Sequence, residues 1–210
     1  MAVLVSGSGT NLQALIDARS KWESYEIVLA ASNNKAARAL ERAAVVKIDT
    51  AVINDPADAA AMIDMFARYG VDLVVLAGYL TLIPKEVISA FEGRMINIHP
   101  ALLPSFGGPG MYGLNVHRAV IESGATVSGA TVHVVDEEYD HGRILAQWPV
   151  PVHSDETPES LQQRVLAVEH ELLPTVVGMA GRVGGIAALN IEATAFSGAD
   201  FFNLESTLTD

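Results

Sequence analysis

The alternation of short apolar runs with helical segments over the first hundred residues constrains the fold more than any other feature. Residues 1–5 form an apolar run, residues 6–11 form a loop with the sequence SGSGTN, and Leu12, Leu15 and Ile16 then recur at helical spacing. Further apolar runs lie at 27–31, 45–48, 71–76 and 95–98, with predicted helices at 36–44, 56–69 and 84–90. Strands and helices that alternate in this way build a mostly parallel sheet with helices on both faces. The sequence therefore predicts a Rossmann-like α/β fold.

The second half of the chain departs from this alternation. Residues 105–113 contain four glycines and a proline without periodicity, which predicts a mobile surface loop. Apolar runs at 127–135 and 144–152 flank an acidic turn at 136–142. Two runs separated by such a turn are expected to pair as antiparallel strands, so the C-terminal portion of the sheet is predicted to be antiparallel.

The predicted helices of this half set the expected domain limits. A helix is predicted at 116–123, and the longest helix begins at Thr157 and extends to about Met179. We expect a single domain over residues 1–180 and a C-terminal hairpin or tail over residues 181–210.

Charge and residue usage exclude several classes of function. The chain has 13 Lys and Arg against 25 Asp and Glu, a formal net charge of −12, and shows no basic stripe that could follow a nucleic-acid backbone. It contains no cysteine, which excludes disulfides and thiolate chemistry. The longest nearly apolar stretch, residues 71–83, is too short to cross a bilayer, and no basic export signal opens the chain. We expect a cytoplasmic protein that binds neither nucleic acid nor membranes.

The glycine loop after the first run is a candidate phosphate site. It joins a strand to a helix N-terminus, where free backbone N–H groups and the helix dipole favour an anion near Thr10 and Asn11. Leu12 stands where the dinucleotide-binding motif requires glycine, and no Gly-Lys-Ser/Thr follows to make an ATP-binding loop. A tight turn with a threonine cap explains the same residues equally well.

Asn97 and His99 form the more informative pair. The alternation of side chains along a strand places both on one side of the run at 95–98, at the end where open α/β sheets bind ligands. An amide that donates to a developing oxyanion and an imidazole that moves a proton together suit acyl transfer. The alternative is a structural role in which neighbouring loops satisfy both side chains.

The acidic segment at 136–140 precedes His141 and has two interpretations. A solvated turn is the usual explanation for such a cluster. A metal site that uses His133 and His141 is rejected, because their spacing matches no known ligand module. We predict no metal site.

Four motifs, in this order and spacing, resemble those of the phosphoribosylglycinamide formyltransferases, a family of the formyltransferase superfamily. They are SGSGTNLQ at 6–13, VLAGYL at 75–80, NIHPALLP at 97–104 and DHG at 140–142. The likeness extends over residues 3–180. It implies the formyltransferase fold and transfer of a formyl group from 10-formyltetrahydrofolate to the amine of N1-(5-phosphoribosyl)glycinamide in de novo purine biosynthesis.

The resemblance also implies the roles of individual residues. The implied catalytic set is Asn97, His99 and Asp140. The ribonucleotide is assigned to Gly9, Thr10, Asn11 and Glu169. The folate is assigned to Leu76, Tyr79, Leu80, Thr81, Leu82, Ile83 and Asn97, with the acidic loop at 136–140. Folate enters as a cosubstrate, and no cofactor stays bound. The expected partners are the two small-molecule substrates. The protein is expected to be a monomer or a homodimer.

The mechanism expected from this set begins with attack of the amine on the formyl carbon. Asn97 and His99 would stabilise the oxyanion, and Asp140 would favour the charged imidazole ring of His99. Two alternatives stay open: a formyltetrahydrofolate hydrolase (deformylase), in which water attacks, and a non-catalytic nucleotide-binding module with the same fold.

Overall fold

Seven strands form one sheet in the computed structural model, which describes residues 1–189. The strands are β1 (Ala2–Val5), β2 (Leu29–Ser32), β3 (Asp49–Val52), β4 (Val74–Leu76), β5 (Met95–His99), β6 (Val127–Val134) and β7 (Ile144–Pro151). Their order is β3-β2-β1-β4-β5-β6-β7. The first five strands are parallel, whereas β6 pairs antiparallel with β5 and β7 pairs antiparallel with β6. The predicted mostly parallel sheet with an antiparallel C-terminal portion is confirmed.

Helices connect the strands, and two of them begin at a capped residue. The helices are α1 (Thr10–Asp17), α2 (Arg19–Trp22), α3 (Arg38–Val45), α4 (Ala59–Arg68), α5 (Lys85–Ala90), α6 (Leu114–Glu122) and α7 (Pro158–Val183). The Asp58 carboxylate accepts a hydrogen bond from the N–H of Ala61 at the start of α4, and the Thr157 hydroxyl accepts one from the N–H of Ser160 at the start of α7. Such caps satisfy N–H groups that the first helical turn leaves unpaired.

The side chains of β1 show that both faces of the sheet are covered. Val3 and Val5 pack in one apolar cluster with residues of α1, α3, α6 and α7, whereas Ala2 and Leu4 pack in a second cluster with residues of α4 and α5. Alternate residues of a strand point to opposite faces, so β1 is buried on both sides. The predicted helices on both faces are therefore confirmed.

The third strand differs from its prediction. The apolar run at 45–48 is not a strand, because α3 continues to Val45 and β3 begins only at Asp49. β3 lies at the edge of the sheet and is largely exposed, so its residues lack the apolar signature of the inner strands. The side chain of Ile48 instead joins the core from the turn before the strand.

The C-terminal helix runs further than predicted. α7 passes Met179 and ends at Val183, and a 3₁₀ turn follows at Ile186–Ala188. The rest of the predicted hairpin or tail, residues 190–210, lies outside the described residues. The division into one domain at 1–180 and a tail stays a prediction. No described helix combines the length and apolar character needed to cross a membrane.

The topology determines where a ligand can bind. In the sheet, β2 and β3 lie on one side of β1, whereas β4 and the strands that follow it lie on the other side. The loops after β1 and β4 therefore separate at the carboxyl edge of the sheet, which is where open α/β sheets form a crevice. The Gly78 carbonyl accepts a hydrogen bond from the N–H of Ser6 at 3.0 Å, and the Ser6 hydroxyl accepts one from the N–H of Leu80 at 3.1 Å.

Candidate active site

A cavity of about 550 Å³ opens at this carboxyl edge, where the loops after β1, β4 and β5 meet. Its wall contains all the predicted site residues except Gly9: Thr10, Asn11, Leu76, Tyr79, Leu80, Thr81, Leu82, Ile83, Asn97, His99, Asp140 and Glu169. The irregular loop at 105–113 and the turn at 136–140 contribute further wall residues. Residues far apart in the sequence thus line one cavity of the size of a small-molecule site.

The N-terminus of α1 leaves donors free at one end of the cavity. The first intrahelical hydrogen bond runs from the N–H of Gln13 to the carbonyl of Gly9 at 2.9 Å, and no side chain of the described residues caps the helix. The N–H groups of the first turn can therefore donate to an anion. Arg42 of α3 supports this loop, because its Nε donates to the Ser8 carbonyl at 2.8 Å.

Gly9 contributes to the loop through packing rather than through the cavity wall. Its φ of 72° lies in the left-handed region, and a Cβ at this position would lie 2.5 Å from the Ala39 Cβ and 2.7 Å from the Ala39 Cα. Only glycine allows α1 and α3 to approach this closely. Gly9 therefore fixes the position of the loop that presents the N–H groups.

Replacement of Gly9 by Val is expected to lower the free energy of unfolding by about 2–4 kcal/mol, through overpacking and backbone strain. Urea denaturation measures the change. Gly7→Ala is the matched control in the same loop, since a Cβ on Gly7 meets no atom within 4 Å, and its expected cost is below about 1 kcal/mol. Equally small losses in both variants would show that α3 moves aside.

Glu169 of α7 is buried beside the same loop. Its Oε2 accepts a hydrogen bond from Asn11 Nδ2 at 2.7 Å. Burial raises the pKa of Glu169 to about 7, although the hydrogen bond from Asn11 and the charge of His99 partly oppose this rise. The Asn11 Oδ1 atom is buried without a partner among the described residues. This end of the cavity thus offers a carboxyl group that titrates near neutrality and an unused amide oxygen.

The Glu169→Gln variant tests the raised pKa in the free protein. A carboxyl whose pKa is about 7 when folded, against 4.5 as an ordinary value, stabilises the fold below pH 4.5 and loses that contribution as the pH rises to about 7. Between about pH 5 and pH 8, the wild type is expected to lose up to about 3 kcal/mol more unfolding free energy than Glu169→Gln. Urea denaturation at both pH values measures the difference, and parallel losses in the two proteins would contradict it.

Asn97, His99, His133 and Asp140 form a cluster at the centre of the cavity. The Asp140 Oδ1 atom lies 3.4 Å from His99 Nδ1 and 3.6 Å from His133 Nε2, and it accepts a hydrogen bond from Asn97 Nδ2 at 3.3 Å. The Asp140 Oδ2 atom accepts a hydrogen bond from the N–H of Gly108 at 2.9 Å. The structure thus brings the three predicted catalytic residues together.

The carboxylate of Asp140 is the fixed charge of this cluster. Burial alone favours its neutral form, but the hydrogen bonds from His133, His99 and the N–H of Gly108 outweigh burial and hold the pKa of Asp140 well below its usual range. The residue has a φ of 54°, a left-handed conformation that Asp tolerates better than most side chains. The turn at 136–140 folds back along β5 to place it there.

His99 is held at both ring nitrogens. Nδ1 faces the Asp140 carboxylate, and Nε2 lies 2.9 Å from the carbonyl oxygen of Phe106. Carboxylate and carbonyl oxygens only accept hydrogen bonds, so this arrangement suits a ring that carries a proton on each nitrogen. The loop that contains Phe106 therefore covers His99, and Nε2 must leave the Phe106 carbonyl before it can donate to a ligand.

His133 belongs to the cluster, although its sequence context indicated no role beyond the rejected metal site. It lies opposite Asn97 in the pairing of β5 with β6. Its Nδ1 donates to the Val134 carbonyl at 2.9 Å, and its Nε2 lies 3.1 Å from Asn97 Nδ2. A neutral His133 ring accepts from the Asn97 amide, whereas a protonated ring donates toward Asp140. His133 thus contacts both the Asn97 amide and the Asp140 carboxylate.

His117 of α6 also lines the cavity, and the sequence placed it in no constellation. The side chain is fully buried, and its Nδ1 has no partner among the described residues. Burial, followed by the nearby charge of His99, lowers the pKa of His117 to about 4. The cavity therefore holds a third imidazole, which is neutral in the neutral pH range. Its position on an amphipathic helix gives no sequence signal that distinguishes it from a core histidine.

The opposite part of the wall is apolar. The side chains of Leu76, Tyr79 and Ile83 are buried there, whereas those of Leu80 and Leu82 are half exposed at the mouth. Burial raises the pKa of Tyr79, and its hydroxyl has no partner among the described residues. The Thr81 hydroxyl accepts a hydrogen bond from Asn33 Nδ2 at 2.8 Å. No three His, Asp or Glu side chains within residues 1–189 are arranged to hold a metal ion.

Comparison with known sequences identifies the family. Residues 1–177 match the family described as formyl transferase. The chain is 47% identical over 186 residues to a chloroplastic phosphoribosylglycinamide formyltransferase of Arabidopsis thaliana, with 85% of this chain and 64% of the relative aligned. A relative of the same description in Vigna unguiculata is 45% identical, with 84% and 59% aligned. The chain thus spans about three fifths of the length of these curated relatives.

Solved structures agree with this assignment. Phosphoribosylglycinamide formyltransferase from Anaplasma phagocytophilum is 39% identical, with a TM-score of 0.79 over 86% of this chain and 85% of that one. Glycinamide ribonucleotide transformylase 1 from Symbiobacterium toebii is 37% identical, with a TM-score of 0.80 over 91% and 90%. From its sequence, its fold and the residues of its cavity, the chain belongs to the formyl transferase family.

Proposed function

We propose that this protein transfers the formyl group of 10-formyltetrahydrofolate to the amine of N1-(5-phosphoribosyl)glycinamide. The observation that carries the proposal is that one cavity joins three parts: free N–H groups at the start of α1, the cluster around Asp140, and an apolar wall. These parts suit a phosphate, a reacting carbonyl and a pterin ring, respectively. The relatives named above, and relatives named trifunctional purine biosynthetic protein, support a place in purine biosynthesis.

The ribonucleotide half of the proposed site runs from α1 to α7. The first-turn N–H groups at Thr10 and Asn11 would hold the phosphate, in the loop that Gly9 fixes. Glu169 would then contact the glycinamide end of the substrate. Positioning both ends of this substrate places its amine beside the cluster, which favours attack by the amine over attack by water.

The folate half uses the apolar wall. Leu76, Tyr79 and Ile83 would bury the pterin ring. Leu80, Thr81 and Leu82 would contact the part of the donor that extends toward the mouth. The formyl group then lies beside Asn97, which belongs both to the catalytic set and to the folate half. Folate acts as a cosubstrate in this scheme, and the reaction uses side chains of the protein without a bound cofactor.

The reaction begins when the amine nitrogen attacks the formyl carbon, so that a C–N bond forms and the carbonyl oxygen becomes negative. The Asn97 amide N–H stabilises this oxyanion by exchanging its 3.3 Å contact with Asp140 for the shorter bond to oxygen. His99 donates a proton to the departing folate nitrogen as the old C–N bond breaks. The ring then takes the proton released by the attacking amine, which restores the imidazolium.

A formyl-transfer assay tests the proposal with purified protein and both substrates. Addition of the ribonucleotide is expected to accelerate loss of the formyl group from 10-formyltetrahydrofolate by orders of magnitude, with formylated ribonucleotide as the product. Formate released at an equal rate with and without the ribonucleotide would identify a hydrolase. Ribonucleotide binding without any turnover would identify a non-catalytic binding module.

Two further parts of the proposal concern the protein's setting. We expect a monomer or homodimer, which light scattering at assay concentration would distinguish. We expect a cytoplasmic location, whereas the plant relatives are described as chloroplastic. Fractionation of the source cells would test the location.

A further inference from the structure

The mouth of the cavity points to a specificity for the tail of the folate donor. We propose that this protein recognises its donor without a contribution from the poly-γ-glutamate tail, so that a donor with one glutamate binds at least as tightly as a donor with several. The inference rests on the proposed function, because it concerns the folate half of the same cavity.

The first step of the argument is the direction in which the donor leaves the cavity. The formyl nitrogen of the donor joins a pterin ring on one side to a benzoyl-glutamate group on the other. If the formyl group lies at Asn97 and His99, and the pterin lies against the buried Leu76, Tyr79 and Ile83, the benzoyl-glutamate group extends toward the mouth. The tail therefore meets the residues that form the rim.

Large apolar side chains are exposed at the rim. Four cavity residues carry large exposed side chains: Leu80 at 54%, Leu82 at 50%, Tyr112 at 50% and Tyr139 at 44%. Exposed apolar groups that gather at the mouth of a cavity mark a ligand contact. Such groups suit a flat benzoyl ring, which needs no charged partner.

Apart from the buried His99 ring, the charged groups of the cavity wall are acidic. Asp136 and Glu138 lie at the rim, Asp140 and Glu169 lie deeper, and no Lys or Arg lines the cavity in the described part of the chain. Residues 190–210 contain four acidic residues and neither Lys nor Arg. Each γ-linked glutamate adds one negative charge to the donor. The wall therefore supplies no ion pair for those charges, and the net charge of −12 repels them.

Two lysines flank this region without lining the cavity. Lys85 donates to the Glu137 carboxylate at 2.6 Å, so a carboxylate of the protein already faces it. Lys35 is exposed two residues beyond Asn33, whose amide donates to Thr81. Lys35 is therefore the lysine whose contribution to binding of the glutamate tail the experiment must test.

The decisive measurement compares the affinity of the wild-type protein for 10-formyltetrahydrofolate with one and with five glutamates. At about 20 mM salt, we expect the pentaglutamate to bind with equal affinity or up to about five-fold more weakly, and we expect any difference to shrink at about 500 mM salt. Tighter binding of the pentaglutamate would overturn the inference. If that tightening disappeared in Lys35→Gln, Lys35 would be the tail-binding cation.

A pair of substitutions at Thr81 tests whether an added cation at the rim creates a preference for the longer glutamate tail. Thr81→Arg places a guanidinium at the rim and is expected to make the pentaglutamate bind several-fold more tightly than the monoglutamate. Thr81→Gln is the matched control, because it also removes the hydroxyl that accepts from Asn33 but adds no charge, and it should show no such preference. A tail preference in both variants, or in neither, would contradict the lack of a cation at the rim as the cause.

The same assays separate this inference from the proposed function. Formyl transfer from the monoglutamate donor, together with tighter binding of the pentaglutamate, would remove only the inference about the tail. Absence of transfer from both donors would remove the proposed function, and the inference with it.

Discussion

Replacement of His99 by Ala is expected to lower kcat for formyl transfer by at least about 10²-fold, with KM for each substrate changed by only a few-fold. The ring has a carboxylate at Nδ1 and a carbonyl oxygen at Nε2, so it is the group in the cluster that can deliver a proton to the leaving nitrogen. Its loss removes that proton without removing either binding half of the cavity. Initial rates at varied concentrations of each substrate separate kcat from KM.

Two further variants test whether the loss of activity is specific to proton transfer by His99. His99→Gln retains a polar side chain of similar length in the buried position and should lose activity to a similar degree, which separates proton transfer from the loss of packing. His153→Ala is the control, because His153 is exposed and does not line the cavity. A His99→Ala enzyme with turnover within a few-fold of the wild type would remove His99 from the mechanism.

Local periodicity in the sequence predicted one part of the site. Asn97 and His99 lie two residues apart on a strand, so their common side follows from the pleat alone. The loop after β1 was predictable because a strand, a glycine loop and a helix are adjacent in the sequence. The contribution of Asp140 followed from the family resemblance, because a turn that folds back along β5 has no local signature.

The residues that sequence reasoning missed depend on strand pairing and helix packing. His133 lies opposite Asn97 only because β6 runs antiparallel to β5 with its observed register. A shift of one residue would turn His133 to the other face of the sheet. His117 approaches the cavity because α6 packs against α7, which a single sequence does not reveal.

The third strand shows the same limit in the fold itself. Apolar content predicts inner strands, because these are buried on both faces, but an edge strand needs little apolar content. β3 consists of Asp49–Val52 and is largely exposed, so the preceding apolar residues gave the stronger signal. Gly9 is comparable, since its need for glycine arises from Ala39, thirty residues later in the chain.

Replacement of Asp140 by Asn is expected to lower kcat by about 10²-fold, because the fixed charge of the cluster is removed while the side-chain volume is kept. Both carboxylate oxygens face donors in the wild type: Oδ1 faces Asn97, His99 and His133, and Oδ2 faces the N–H of Gly108. An amide has only one oxygen, so its NH₂ group must oppose one of these donors.

The pH dependence of the Asp140→Asn enzyme distinguishes the lost charge from a local distortion. The pKa of Asp140 lies well below its usual range, so the wild-type carboxylate stays ionised throughout the neutral range and stabilises positive charge on the groups that face it. Loss of that charge removes an electrostatic stabilisation of the proton that the cluster delivers to the leaving nitrogen, so activity is expected to fall more steeply between about pH 6 and pH 9 than in the wild type. Asp155→Asn, an exposed site that does not line the cavity, should leave both kcat and the profile unchanged. A uniform loss of activity for Asp140→Asn at every pH would show that the carboxylate positions its neighbours without stabilising that proton.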